Sequence, residues 1–194
     1  MDSEPEAIDL EHIIRETVDL VACSLPPHIR IDQQIDVHCA TIFADPTQIH
    51  QVIMNLCTNA VYAMKDTGGR LDIWLQLIDV DSDMTHTHPT LVPGAYVRLS
   101  VMDTGEGMAT DVLERIFDPF FTTKGVGEGT GLGLSVVHGI VKGYEGEIIV
   151  TSEPGQGTTF AIYLPVMADR VQDCDSEQYA HVCNESANAA ADMT

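Results

Sequence analysis

Apolar positions divide the chain into short periodic stretches. Leu10, Ile13, Ile14, Val18 and Val21 recur every three or four residues, so Ile8 to Ala22 reads as an amphipathic helix ended by Leu25-Pro26-Pro27. His28 to Asp36 and Ala40 to Ala44 read as two strands joined by a short polar turn. From Asp45 to Met64 the helical period returns, with Ile49, Ile53, Leu56, Ala60 and Met64 on one face. Asp45 suits the N-cap, Pro46 the first helical position, and Gln48 the return half of a capping box. Lys65-Asp66-Thr67-Gly68-Gly69 breaks that helix. Arg70 to Val80 alternates through Leu71, Ile73, Leu75 and Leu77 and predicts a strand, as does Ala95 to Met102. Asp81 to Pro93 between them is polar and reads as a loop. Thr110 to Ile116 and Leu132 to Val141 predict helices. Glu147 to Thr151 and Thr158 to Leu164 predict strands around the turn Glu153-Pro154-Gly155-Gln156-Gly157. No stretch repeats, and after Val166 the apolar pattern stops.

Composition narrows the picture. With 194 residues and 44% hydrophobic content, the chain is long enough for one core-bearing domain. Its expected span is residues 8–166, after an N-terminal extension (1–7) and before an acidic, disordered linker or tail (167–194). No run of about 18 apolar residues exists, and the acidic start MDSEPEAIDL is no signal peptide. The formal charge of −21 argues against nucleic acid or anionic lipid as a direct partner. An anionic ligand would therefore need a local device: a metal ion, a helix N-terminus or a few placed cations. Cys23, Cys39, Cys57, Cys174 and Cys183 form no CxxC pair, which suggests reduced thiols in a cytosolic setting. His86 and His88 lack a frame of carboxylates or thiols and read as solvated rather than metal-binding.

Three polar constellations carry candidate chemistry. Gln51, Asn55 and Asn59 share a second face of the 45–64 helix. Carboxamides on a largely apolar helix cost burial energy unless something bonds them, although alone a surface stripe is the simpler reading. Asp103 leaves a buried strand into Thr104-Gly105-Glu106-Gly107-Met108, where a carboxylate can accept from an exocyclic amine and glycines allow close approach of a flat ring. Seven of the fifteen glycines fall between Gly105 and Gly133, and Gly129-Thr130-Gly131-Leu132-Gly133 opens a helix whose N–H groups suit phosphate oxygens. No GK[ST] follows, so this is not a Walker A loop, and no GxGxxG occurs, so a dinucleotide-binding fold is excluded.

In this order the motifs resemble the ATP-binding domain of sensor histidine kinases, in the GHKL group that includes gyrase, Hsp90 and MutL. NLCTNA matches the N box, DTGEGM the G1 box, IFDPFFTTK the F box, GTGLGL the G2 box and GQGTTF the G3 segment. TTKGVGEGTGLGLSVVHGI is most similar to nitrogen-regulation-like and hybrid kinases. The resemblance implies a Bergerat fold, an α/β (α+β) two-layer sandwich. Its sheet would be mixed and mostly antiparallel, with helices on one face and a flexible ATP lid between Thr110 and Gly131. It implies Mg2+ on Asn59 and adenine on Asp103, with Gly105, Gly107 and Met108 about the ring. Gly129, Thr130, Gly131, Leu132 and Gly133 would meet phosphates, Phe120 and Phe121 would anchor the lid, and Tyr62 would pack near the nucleotide.

Asn55 stands where gyrase-like ATPases place a glutamate that activates water. An amide is a poor base, so Asn55, Asn59 and Lys124 as a catalytic set fit phosphoryl transfer to a protein side chain rather than hydrolysis. Many relatives carry Lys or Arg just after the second Asn. Here Val61, Tyr62 and Ala63 stand there, and phosphate neutralisation falls to Lys124, with Lys65. His50 and His138 read as ordinary helix residues. None of the eight histidines is followed by Glu or Asp and then by Pro four further on, as the family's phosphoacceptor is. The implied partners are thus a separate dimerisation and phosphoacceptor domain and a response-regulator receiver domain. The implied setting is cytoplasmic, alone or as the cytosolic part of a membrane-bound sensor. The alternatives are a serine-directed GHKL kinase, which usually lacks the FDPFFTTK stretch, and a non-catalytic ATP-binding switch, supported by the missing cation.

Overall fold

The computed structural model describes residues 5–36, 41–125 and 129–166. Most of the expected N-terminal extension, the whole 167–194 tail, and Cys39, Cys174 and Cys183 lie outside the described residues. The elements are β1 (Glu6–Asp9), α1 (Leu10–Ser24), β2 (Ile29–Ile35), β3 (Thr41–Ala44), α2 (Pro46–Ala63) and β4 (Gly69–Val80), then α3 (Ser82–Thr87), β5 (Gly94–Asp103), α4 (Thr110–Leu113), α5 (Gly133–Gly143), β6 (Glu147–Glu153) and β7 (Gly157–Pro165). Five strands form a mixed sheet in the order β2-β4-β5-β7-β6. Only the β2–β4 pair is parallel.

Strand alternation builds the core. Leu71, Ile73 and Leu75 of β4, Val97, Leu99 and Val101 of β5, and Phe160, Ile162 and Leu164 of β7 fall on one face in register, and all are buried. Against them lies α2 through Ile49, Ile53, Leu56, Ala60 and Met64, each no more than 4% exposed. Helices α1 and α5 flank α2 on that same side. This apolar layer holds α2 so that its second face looks toward the ends of β5 and β7, where the candidate chemistry sits.

Three local expectations are corrected, and a strand pairing that the sequence left open is settled. The helix starts at Leu10, not Ile8, because Ala7 and Ile8 pair with Phe43 and Ile42, and the Asp9 carboxylate accepts from Glu11 N–H as the cap. Strands β2 and β3 are not paired with each other: β2 runs parallel to β4, while β3 pairs with β1 in a separate two-stranded sheet. The capping box of α2 is relayed. Asp45 accepts from Thr47 N–H, Asp45 N–H donates to Tyr144 Oη at 2.9 Å, and Tyr144 O–H donates to Gln48 Oε1 at 2.8 Å. Finally, residues 81–93 are not simply a polar loop. Asp81 caps α3, and Leu91 joins Val80, Tyr96 and Tyr163 in a small cluster on the sheet face opposite α2. A single leucine and methionine in a polar stretch carry no periodicity, so pattern could not show it.

Candidate functional site

A cavity of about 300 Å3 opens between α2, the ends of β5 and β7, the chain from Glu106 to Lys124, and the start of α5. Residues of α2 from Asn55 to Ala63 line one side of it. At one end, Ala63 carbonyl accepts Glu106 N–H at 3.2 Å. In the middle, Asn59 Oδ1 accepts from Lys124 Nζ at 2.8 Å. At the far end, Asn55 Nδ2 donates to Gly133 carbonyl at 3.4 Å. Asn55 to Ala63 spans about 12 Å of helix at the usual rise per residue.

The first end is built around Asp103, the last residue of β5 and on the sheet face that carries α2. It is 9% exposed, and Oδ1 accepts from Gly105 N–H at 2.8 Å. Burial pushes its carboxyl above the ordinary value, the N–H groups of Gly105 and Thr158 pull it back, and the Glu106 charge adds to the rise. The following turn presses on the β6–β7 turn. Gly107 has φ +63°, and a Cβ there would stand 2.0 Å from Glu153 carbonyl oxygen, so only glycine fits. Met108 is fixed by its N–H to Ser152 Oγ at 2.8 Å.

The far end is a strap tied to the α5 entrance. Phe120 N–H donates to Gly131 carbonyl at 2.9 Å, and both residues are left-handed, with φ +66° and +67°. A Cβ on Gly131 would stand 2.5 Å from Phe120 C, so this crossing requires glycine. Phe121 turns into the cavity under the Arg115 guanidinium, 4.3 Å above its ring, whereas Phe120 is 74% exposed. Helix α5 starts without a side-chain cap hydrogen bond, which leaves its first N–H groups to other acceptors. Lys124 Nζ and Lys65 Nζ stand 4.3 Å and 4.1 Å from the Tyr62 ring centroid. Burial, and then the Lys65 charge, hold the Lys124 ammonium below its ordinary value.

Most of the residues singled out from the sequence meet here. Asn55, Asn59, Tyr62 and Lys124 line one wall, Asp103, Gly107 and Met108 one end, and Gly129, Thr130, Gly131 and Gly133 the other. Three do not line it. Gly105 is packed against the Ala63 backbone, Phe120 points outward, and Leu132 sits on the rim at the α5 N-cap position, 37% exposed. Gln51 is exposed on α2, away from the cavity. Sequence reasoning missed Thr58, Thr122 and Thr158, and the apolar wall of Val112, Ile116 and Phe160. Thr158 was within reach, since GQGTTF had been matched and Thr158 pairs with Asp103 across the ladder. Among the described residues no group of three or more His, Cys, Asp or Glu could hold a metal ion. A metal in this cavity would rest on an amide oxygen such as Asn59 Oδ1, on water and on the ligand itself, a donor set that suits Mg2+.

The family model for histidine kinase-, DNA gyrase B- and HSP90-like ATPases matches residues 44–168. Sensor kinase CckA of Brucella abortus is 42% identical over 175 residues, covering 89% of this chain and 18% of CckA. Sensor histidine kinase ZraS of Escherichia coli K12 is 38% identical over 166 residues, covering 85% of this chain and 32% of ZraS. The chain thus spans about a fifth to a third of the length of these curated relatives. Among solved structures, the catalytic domain of histidine kinase ThkA superposes with a TM-score of 0.65 at 30% identity, over 84% of this chain and 96% of that one. Full-length ShkA in complex with AMPPNP gives a TM-score of 0.67 at 28% identity, over 86% of this chain and 32% of that one.

Proposed function

The chain belongs to the histidine kinase-, DNA gyrase B- and HSP90-like ATPase family, and from that membership we propose that it binds Mg-ATP along α2 and donates the γ-phosphoryl group to a histidine on a separate dimerisation domain. One observation carries this reading: Asp103, Asn59, Asn55 and the uncapped start of α5 border a single cavity. Asp103 accepts the adenine amine, and Gly107 and Met108 border the ring. The N–H groups at the start of α5, with Gly129, Thr130 and Gly131, hold phosphate oxygens. Asn59 Oδ1 already faces a cation, the Lys124 ammonium, so it suits a metal ligand. Bound there, Mg2+ supplies charge neutralisation at the phosphates.

Asn55 offers no base for water, and its amide is tied to Gly133 carbonyl. The acceptor must then bring its own nucleophile. Exposed Phe120 and Leu132 beside the phosphate end offer apolar contacts for the domain that carries it. A receiver domain would take the phosphoryl group onward. Among the described residues no helix is long and apolar enough to cross a membrane. We place the reaction in the cytoplasm, where ATP is available to the cavity.

The test is the chemistry of the product. Incubated with its cognate dimerisation domain and γ-labelled ATP, the chain should label that domain with a phosphate stable to alkali and labile to acid. An acid-stable label would instead mark a serine-directed kinase.

A further inference from the structure

Tyr62 follows Asn59 by three positions on α2, so its ring leaves the helix on the same side as that amide. Two ammonium groups converge on it. Lys124 comes from the strap, 4.3 Å from the ring centroid. Lys65 comes from the turn after α2, 4.1 Å from the centroid and 3.0 Å from the hydroxyl oxygen. These are two of only three lysines in a chain of net charge −21. Bringing them together costs repulsion, which adds to burial, the larger cause, in lowering the proton affinity of Lys124. A tyrosine face offsets part of it through its quadrupole, and a polyanion between the two cations would offset the rest. Through its bond to Asn59 Oδ1, Lys124 stands in the cavity wall beyond the Asp103 end, and Lys65 reaches the same ring from outside the lining.

We propose that Tyr62 is a positioning residue that gathers Lys65 and Lys124 into one cationic clamp for the terminal phosphates of the bound nucleotide. The clamp rests on the reading of the cavity as an ATP site. An uncharged ring on the Asn59 face of α2 thereby recruits two cations from elsewhere in the chain. It reads phosphate number and ignores the base.

Calorimetric titration of the chain with AMP and ATP in excess Mg2+ tests this. Tyr62→Leu and Lys65→Met should each weaken ATP about five- to tenfold and leave AMP within about twofold. Tyr62→Phe keeps the ring and should recover most of the ATP affinity. The ATP losses should shrink at high salt. Equal losses for AMP and ATP, or Tyr62→Phe as weak as Tyr62→Leu, would reduce Tyr62 to packing and overturn the clamp. Unchanged ATP affinity in Lys65→Met would also overturn it. A wild-type chain that binds neither nucleotide would instead remove the ATP site on which the clamp depends.

Discussion

In the proposed function Asp103 is the residue whose chemistry selects the base. Its carboxylate sits 9% exposed, with one oxygen held by Gly105 N–H. Asp103→Asn exchanges an acceptor for a group that also donates, and should weaken ATP binding by about 1.5–3 kcal/mol, the range for a charge-assisted bond. GTP should bind worse than ATP to the wild type, because guanine presents a carbonyl where adenine presents the amine. The burial-driven rise in its proton affinity also sets a pH dependence. A carboxyl raised in the folded state favours its protonated form there, so its contribution to stability is present at low pH and is lost as pH rises through that value. Asp103→Asn should therefore cost little folding stability at neutral pH. In the wild type, ATP affinity should fall on acidification before an ordinary carboxyl would titrate, as calorimetry across that range would read. Asp103, Asn55 and Asn59 were legible because strand ends and helical spacing fix where such side chains point. The Tyr62, Lys65 and Lys124 cluster was not, since 58 residues of chain lie between its two cations and no local period links them.

At the scale of elements, α2 is held at its start by a residue from α5's end. Tyr144 accepts Asp45 N–H and donates to Gln48 Oε1. Tyr144→Phe leaves that N–H without its acceptor and should lower unfolding free energy by about 1–3 kcal/mol, measured by urea titration. ATP affinity should follow only as far as α2 shifts. The strap bearing Phe120 and Lys124 is tied through Phe120 N–H to Gly131 and Lys124 to Asn59. Proteolysis after Lys124 should slow when Mg-ATP is added; a rate indifferent to nucleotide would detach the strap from the site. The long elements were readable, because β4, β5, α2 and α5 repeat their periods over many residues. Strand β1 was not. Its four residues run directly into α1, and Ile8 fits a helical period as well as a strand until Ile42 is seen opposite it. Neither could the parallel β2–β4 pairing be read locally, since the strand's partner is set by tertiary packing.

The whole molecule carries a formal charge of −21, so its devices for holding a polyanion must be local. Three lie together about the cavity, the start of α5, Lys124 and an amide oxygen suited to a metal, and Lys65 joins Lys124 through the Tyr62 ring. On the proposed reading Asn55 supplies no base for water and none of the eight histidines has the phosphoacceptor's flanks, so the proposal divides donor and acceptor between domains. Transfer then depends on how the second domain places its nucleophile in line with the γ-phosphate. The most direct measurement follows γ-labelled Mg-ATP with the chain alone, and then with its cognate dimerisation domain added. An unlabelled chain and slow release of phosphate are expected at first, then label on the added domain, abolished by Asn59→Ala. Label on one of the chain's own histidines, or rapid hydrolysis by the chain alone, would contradict the division of donor and acceptor between domains.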